Sequence, residues 1–271
     1  MKFIVQHNLM NNIQLGQMSC ALADLKIPHE FVGVIPFSRE ITSEEPLVGR
    51  EYLPYGSTLL TMLTCNNGFD WRGNYFNPVT FDSSMWNYNR NDMLNGGNLR
   101  GTTMMISDAI EFLKKQDPKS MWFTRPCEDL KQYSGQVIQA DECIKWFNDA
   151  MQCESSGSYK LEPTTGVVIA EPRNIQAEWR WFIVDGQVIS GSMYRREGQL
   201  YKKNESDIAT INEAQQLANV WLPHRNCVMD VALVDNEVKV LEFNTINSSG
   251  FYDHDIEAIV SALWEDFKRG N

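Results

Sequence analysis

Apolar and polar positions along this 271-residue chain change period several times, and each change predicts an element. Lys2–Val5 is a short apolar run. Leu15, Met18, Ala21, Leu22 and Leu25 then recur at helical spacing, Pro28 closes the segment, and Phe31–Ile35 is apolar again. A strand, helix and strand of these lengths predict a βαβ unit in an open α/β sheet. The loop Gln6–Gln14 has no GxGxxG pattern and so carries no dinucleotide fingerprint. Pro54-Tyr55-Gly56-Ser57 reads as a turn feeding a helix over Thr58–Leu63, whose start would be capped or would hold an anion. From Asn66 to Arg100 periodicity fades among Asn, Gly and aromatic residues. That predicts a long irregular connection, a lid or substrate contact by its length, with most of Trp71, Tyr75, Phe76, Trp86 and Tyr88 tucked onto the core. Thr102–Lys115 predicts an amphipathic helix with Met105, Ala109, Ile110 and Leu113 inward.

The second half repeats the strand and helix signals. Met121–Thr124 reads as a strand leading into Arg125-Pro126, followed by a second over Lys131–Val137. Asp141 is the expected N-cap of a helix Glu142–Met151 that turns Ile144, Phe147 and Met151 inward. After a Ser/Gly loop at Glu154–Lys160, Val167–Ala170 is wholly apolar and ends in Glu171. Trp179–Val184 and Val188–Met193 flank Asp185-Gly186, a strong hairpin signal. Ile208–Trp221 is helical and stops before Pro223, and Asp255–Phe267 closes the chain as a helix. Between them, Cys227–Val234 and Val238–Phe243 flank Asp235-Asn236-Glu237 and predict another hairpin.

Three polar residues sit in that last hairpin where apolar ones are expected: Asp230, Glu242 and Asn244. Alternation puts Glu242 and Asn244 on one face, and folding at the turn allows Asp230 to join them. Two carboxylates and an amide oxygen on one wall are hard ligands of the kind that suit Mg²⁺ carried by phosphates. An ordinary solvent face would give the same alternation.

Composition narrows the classes. The formal net charge of −11 argues against broad binding to nucleic acid or anionic membrane. The six cysteines form no CxxC pair and no zinc-spaced cluster, so buried free thiols in a reducing, cytoplasmic setting are expected (host cytoplasm for a viral chain). Phe3-Ile4-Val5 gives way at once to polar Gln6-His7-Asn8, unlike a signal peptide, and no apolar run has membrane-spanning length.

Taken together, residues from about 120 to 255 resemble the ATP-grasp ligases. The likeness lies in Glu242-Phe243-Asn244 preceded by Asp230, in the strand ending Ile169-Ala170-Glu171, and in Glu178 seven residues on. Most members hold phosphate with a lysine on the first strand. Here Arg125 stands in Thr-Arg-Pro with Lys131 after it, and Glu178-Trp-Arg180, Ser192-Met-Tyr194-Arg195 and Asn247-Ser-Ser-Gly-Phe-Tyr252 complete a pattern similar to a phage- and bacteria-associated clade of peptide or amide ligases. The resemblance implies an α+β ATP-grasp fold, two subdomains enclosing ATP over 101–170 and 171–271, behind a Rossmann-like α/β domain over 1–100. It implies Asp230, Glu242 and Asn244 as Mg²⁺ ligands, Ala170 and Glu171 at the adenine, Glu178 at the ribose, and Arg125, Lys131, Arg180, Tyr194 and Arg195 around the nucleotide.

ATP brings several negative charges into a cleft, and cations such as Arg125, Lys131 and Arg180 compensate them in an otherwise acidic chain. Arginine adds a planar fork that grips phosphate with two hydrogen bonds. Alternation puts Glu178 and Arg180 on one face, facing one ligand or forming a surface ion pair. The implied reaction activates a carboxylate as an acyl phosphate for attack by an amine, with Arg180, Asn247, Ser248 and Gly250 as candidates for stabilising the reacting oxygens; the other reading of Asn247–Gly250 is a simple turn into the last helix. His254, between two aspartates at a helix start, is read as incidental. The expected partners are small-molecule or peptide carboxylates and amines. A kinase or a nucleotide-binding interaction protein on the same fold are the competing readings.

Overall fold

A computed structural model describes residues 1–8, 12–35, 38, 40–65, 69–96, 101–128, 132–152 and 160–270. The chain runs β1 (Lys2–Gln6), α1 (Asn12–Asp24), β2 (His29–Ile35), β3 (Glu40–Thr42), β4 (Tyr52–Tyr55), α2 (Thr58–Cys65) and α3 (Ser83–Asn89). It continues through β5 (Gly101–Met105), α4 (Ile106–Leu113), β6 (Met121–Pro126), β7 (Gln136–Gln139), α5 (Ala140–Gln152) and β8 (Gly166–Ala170). Then come β9 (Ala177–Val184), β10 (Gln187–Arg196), β11 (Gln199–Asn204), α6 (Ile208–Val220), β12 (Cys227–Val234), β13 (Glu237–Asn244), a short 3-10 turn at Ile246–Ser248, and α7 (Ile256–Arg269). By their contacts the residues divide into two units: Met1–Asn77 with Ala177–Val231 and Phe243–Asn271, and Pro78–Gln176 with Ala232–Glu242.

In the first unit, β1 lies parallel to β2 and to β4, and β3 adds antiparallel to β2, in the order β3-β2-β1-β4. Phe3 and Val5 turn one way, onto Met18 and Leu22 of α1 and Ile259, Val260 and Leu263 of α7. Ile4 turns the other way, onto Val32 and Trp71. A strand covered on both faces reads as a continuous apolar run. The expected turn at Pro54-Tyr55 is instead the end of β4, where Pro54 lies opposite Ile4. β4 is an edge strand, the place in a sheet where a missing N–H costs least.

The second sheet has the order β11-β10-β9-β12-β13. Its two-residue connections take left-handed backbones: Asp185 and Gly186 at φ 52° and 74°, Glu197 and Gly198 at 49° and 76°, Asp235 and Asn236 at 53° and 63°. Those turns match the twist of antiparallel strands, so both expected hairpins form. At Gly191 a Cβ would lie 2.0 Å from the Trp181 ring, so this strand position accepts no side chain.

In the second unit the order is β5-β8-β6-β7, all antiparallel. The helix expected over Thr102–Lys115 begins only at Ile106. Gly101 and the β-branched Thr102 and Thr103 pair with Ala170, Ile169 and Val168 instead. Met105, expected inward, is half exposed, while Ile106, Ala109, Ile110 and Leu113 pack with Cys143 and Phe147 of α5 and with Val167 and Ile169. Two other boundaries move: the strand expected over Lys131–Val137 is β7, and α5 starts at Ala140, so Asp141 lies in its first turn rather than at its cap. The stretch Asn66–Arg100 holds a helix, α3, capped by Asp82 accepting from the Ser84 amide at 2.8 Å. Trp71, Tyr75 and Trp86 are buried there, whereas Tyr88 is exposed.

Among the described residues five cysteines are free, with Cys127, Cys143 and Cys227 buried but Cys20 exposed. No described helix is long and apolar enough to cross a membrane.

Candidate functional site

β9, β10 and β12 bring five of the expected residues together in the first unit. Glu178 and Arg180 share a face of β9, as alternation requires. Glu178 is buried and accepts from the Tyr194 hydroxyl at 2.6 Å and from Arg195 Nη1 at 3.2 Å. Arg180 donates from Nε and Nη2 to the two oxygens of Asp230 at 2.9 and 2.7 Å, and from Nη1 to the Gly250 carbonyl at 3.2 Å. Asn244, two residues after Glu242 on β13, directs Nδ2 at Asp230 Oδ2 at 3.5 Å. Hydrogen bonds from a guanidinium to a carboxylate are the strong kind, and the two-pronged Arg180 pair fixes orientation as well.

Two residues outside the expected set complete this cluster. The Tyr252 ring stacks on Tyr194 with centroids 4.7 Å apart, and the Arg180 guanidinium lies 5.1 Å from the Tyr252 centroid. His254 accepts from the Tyr252 amide through Nδ1 at 3.1 Å and donates from Nε2 to the Arg180 carbonyl at 3.2 Å. Burial and the nearby guanidinium push its imidazole down to about 4, outweighing the hydrogen bond that favours the cation, so the ring is neutral at pH 7. His254, read from sequence as incidental, is therefore a fixed strut beneath Arg180.

In the second unit, Arg125 on β6 forms an ion pair with Glu242 on β13, both partly buried, and its guanidinium lies 5.4 Å from the Trp86 ring centroid. Ser83, Trp86, Met93, Asn95 and Leu241 line a small cleft beside Arg125. Ala170 is buried at the end of β8 and Glu171 follows it, partly exposed. Lys131 lies outside the described residues.

The wall of carboxylates expected from the hairpin thus takes a different form. Asp230 and Glu242 are each held by an arginine, Arg180 and Arg125, drawn from the residues expected to bind phosphate. A buried carboxylate needs a cation, and the nearest fixed ones are these guanidiniums. Among the described residues no three His, Cys, Asp or Glu side chains converge as a metal cage. Asp230 with Asn244 in the first unit, and Glu242 in the second, are each nonetheless oxygen donors of the kind Mg²⁺ takes. That ion keeps several waters and takes part of its shell from phosphate, so one or two protein carboxylates suffice.

The loop after β13 departs from expectation more sharply. Asn247 donates both amide hydrogens inward, to the Pro54 and Gly73 carbonyls at 2.7 and 2.9 Å, while its Oδ1 accepts from the Tyr75 amide at 2.8 Å. Its carbonyl takes the Gly56 amide at 2.8 Å. With its donors spent on the chain's own backbone and only 1% exposure, Asn247 is a tie rather than an oxyanion donor. Tyr55 adds a second tie. Its hydroxyl donates to the Ser249 carbonyl, its ring stacks on Phe251 at 5.1 Å, and burial pushes its pKa up. Ser248 is partly exposed and Gly250 exposed. These two remain the accessible part of the loop.

Comparison with known proteins follows the same outline. Residues 101–262 match the family described as ATP-grasp domain, R2K clade family 2. No curated protein matches the chain. Among solved structures, the RimK domain protein ATP-grasp from Sphaerobacter thermophilus superposes over 97% of this chain and 99% of its own, with TM-score 0.61 and 10% identity. D-cycloserine synthetase DcsG does so over 98% and 100%, with TM-score 0.60 and 12% identity. The ATP-grasp ligase PsnB, complexed with a minimal precursor, Mg and ADP, covers 98% of each chain with TM-score 0.54 and 13% identity. At such identities the likeness is one of fold.

Proposed function

The chain belongs to the R2K clade of the ATP-grasp family, and from that premise we propose that it is an ATP- and Mg²⁺-dependent ligase joining a carboxylate to an amine. The observation that carries the reading is the arginine grip on each hairpin carboxylate, Arg180 on Asp230 and Arg125 on Glu242. In this reading each pair joins a group that takes phosphate to a group that takes its metal, which supports the two roles without showing them. Arg125, Arg180 and Lys131 take the phosphates. Asp230, Glu242 and Asn244 would hold the metal, which would supply positive charge to offset that of the phosphates. The Ala170-Glu171 backbone reads adenine, and Glu178, oriented by Tyr194 and Arg195, takes the ribose hydroxyls.

In the reaction the substrate carboxylate oxygen attacks the terminal phosphorus of ATP, and ADP leaves. The amine then attacks the acyl carbon, inorganic phosphate leaves, and the amine loses a proton. Arg180 orients the transferred phosphoryl group, and Ser248 and the Gly250 amide face the oxygen that gains charge, which makes positioning the main contribution of these groups. Domain roles follow the division 1–100, 101–170 and 171–271. That another PsnB structure is complexed with the precursor peptide PsnA2 supports a peptide as one substrate class.

The test is ADP release from the purified chain with Mg²⁺ across a panel of amino acids and peptides, with products weighed by mass spectrometry. A condensed product, lighter than its two parts by one water, supports the ligase. A product heavier by one phosphate makes the chain a phosphotransferase, and absence of ATP binding by calorimetry removes the nucleotide site altogether.

A further inference from the structure

β11 stands at the end of its sheet with only β10 beside it. Gln199 to Lys203 are all exposed, including Leu200 at 68% and Tyr201 at 39%. The strand bonds to β10 with Leu200 opposite Arg195 and Lys203 opposite Met193, the register shifting by one residue at an irregularity between the two pairs, and Ser192 Oγ donates to the Lys203 carbonyl at 3.1 Å. Only at its end is the outer edge closed, where the Asn204 amide donates to Asp253 at 2.9 Å. A row of peptide groups facing solvent is a template for one more strand.

The charge on this edge is opposite to that of the chain. Arg196, Lys202 and Lys203 are exposed and make no ion pair among the described residues, in a protein of net charge −11. Lysines on an edge repel neutral or basic strands, and the same lysines attract carboxylates. A second copy pairing edge to edge would set these cations against one another, which disfavours self-association here. Three cations at one hairpin in an acidic chain are too few for a polyanion groove. An extended segment supplies what remains: backbone groups for the ladder, acidic side chains for the cations, and apolar ones for Leu200 and Tyr201.

We propose that β11 is the docking edge for an acidic peptide, which adds to the sheet as an extended strand. The proposal is independent of the ligase reading, because none of these residues holds nucleotide or metal in it.

Fluorescence polarisation of the intact chain without ATP tests it, using a labelled peptide of alternating Glu and Val. The expected result is saturable binding that weakens at least tenfold when Lys replaces Glu in the peptide. A like loss is expected when alternate backbone nitrogens of the peptide are methylated, which removes the ladder donors. Lys202→Glu with Lys203→Glu, and separately Lys202→Gln with Lys203→Gln, should each weaken binding while circular dichroism and Tm stay as in the parent chain. No binding of the Glu/Val peptide overturns the proposal. So does equal binding of the methylated peptide, or binding undiminished in the lysine variants.

Discussion

Arg180 meets Asp230 through two parallel donors, at 2.9 and 2.7 Å, at a point where the carboxylate is 1% exposed. The interior compensates two charges here only because both are present. Asp230→Ala removes the carboxylate and is expected to destabilise the fold by roughly 3 kcal/mol. Asp230→Asn, which keeps volume and one acceptor, should cost less. Urea denaturation of both variants decides the matter, and a parental midpoint for Asp230→Ala would sink the claim that this pair supports the fold.

Arg125 and Glu242 are more accessible, with side chains 14% and 27% exposed, so their pair contributes less to stability. Glu242→Gln is expected to leave the unfolding free energy within about 1 kcal/mol of the parent. The same change should lower ADP release by about 100-fold or more, since it removes a metal carboxylate. Normal turnover in this variant would refute the metal assignment.

The two arginine–carboxylate pairs also couple the ligands. In the proposed reading each arginine exchanges its carboxylate for phosphate, and each carboxylate its arginine for metal. Mg²⁺ alone is therefore expected to bind poorly, and ATP to bind at least about tenfold more tightly with Mg²⁺ than without, a coupling of about 1.4 kcal/mol. Isothermal titration in both orders reads it. Equal ATP affinity with and without the metal would show that the pairs do not exchange.

Much of this was legible in the sequence because it is local. Two apolar runs around Asp235-Asn236 specify β12 and β13, and alternation alone puts Glu178 with Arg180 and Glu242 with Asn244. What stayed hidden depends on distant segments. Asn247 is a candidate oxyanion donor in the sequence because its loop directly follows Glu242-Phe243-Asn244. Its partners, Pro54 and Gly73, lie 193 and 174 positions away, and no periodicity reports them. Tyr252 reaches Tyr194 and Arg180 only once the chain has turned back toward α7. β11 escaped because QLYKKN is exposed on both faces and so lacks the alternation that marks a half-buried strand.

Asn247→Ala follows from that hidden role. The change leaves the Pro54 and Gly73 carbonyls and the Tyr75 amide without their side-chain partner in a buried place. Each orphaned group costs roughly 1–3 kcal/mol, so a loss of about 3 kcal/mol or more is expected. Hydrogen exchange at the Tyr75 amide should quicken in step. A variant of parental stability with lost turnover would return Asn247 to the catalytic residues.

His254 gives the chain a pH dependence whose sign follows from burial. Its folded pKa is held down at about 4 against an ordinary value of 6.5, so between those values the unfolded chain binds a proton that the folded chain refuses. The stabilisation is complete above pH 6.5 and falls away as pH drops to about 4, by roughly 3 kcal/mol over the whole window. Protonation also places a hydrogen on Nδ1 where the Tyr252 amide now donates, which loosens the ring that covers Arg180. His224, whose pKa burial also lowers, adds a slope of the same sign. Denaturation midpoints of the parent and of His254→Gln, measured from pH 7.5 down to 4.5, separate the two. The variant should start less stable and lose less on acidification, and parallel curves for the two proteins would show that His254 does not carry the effect.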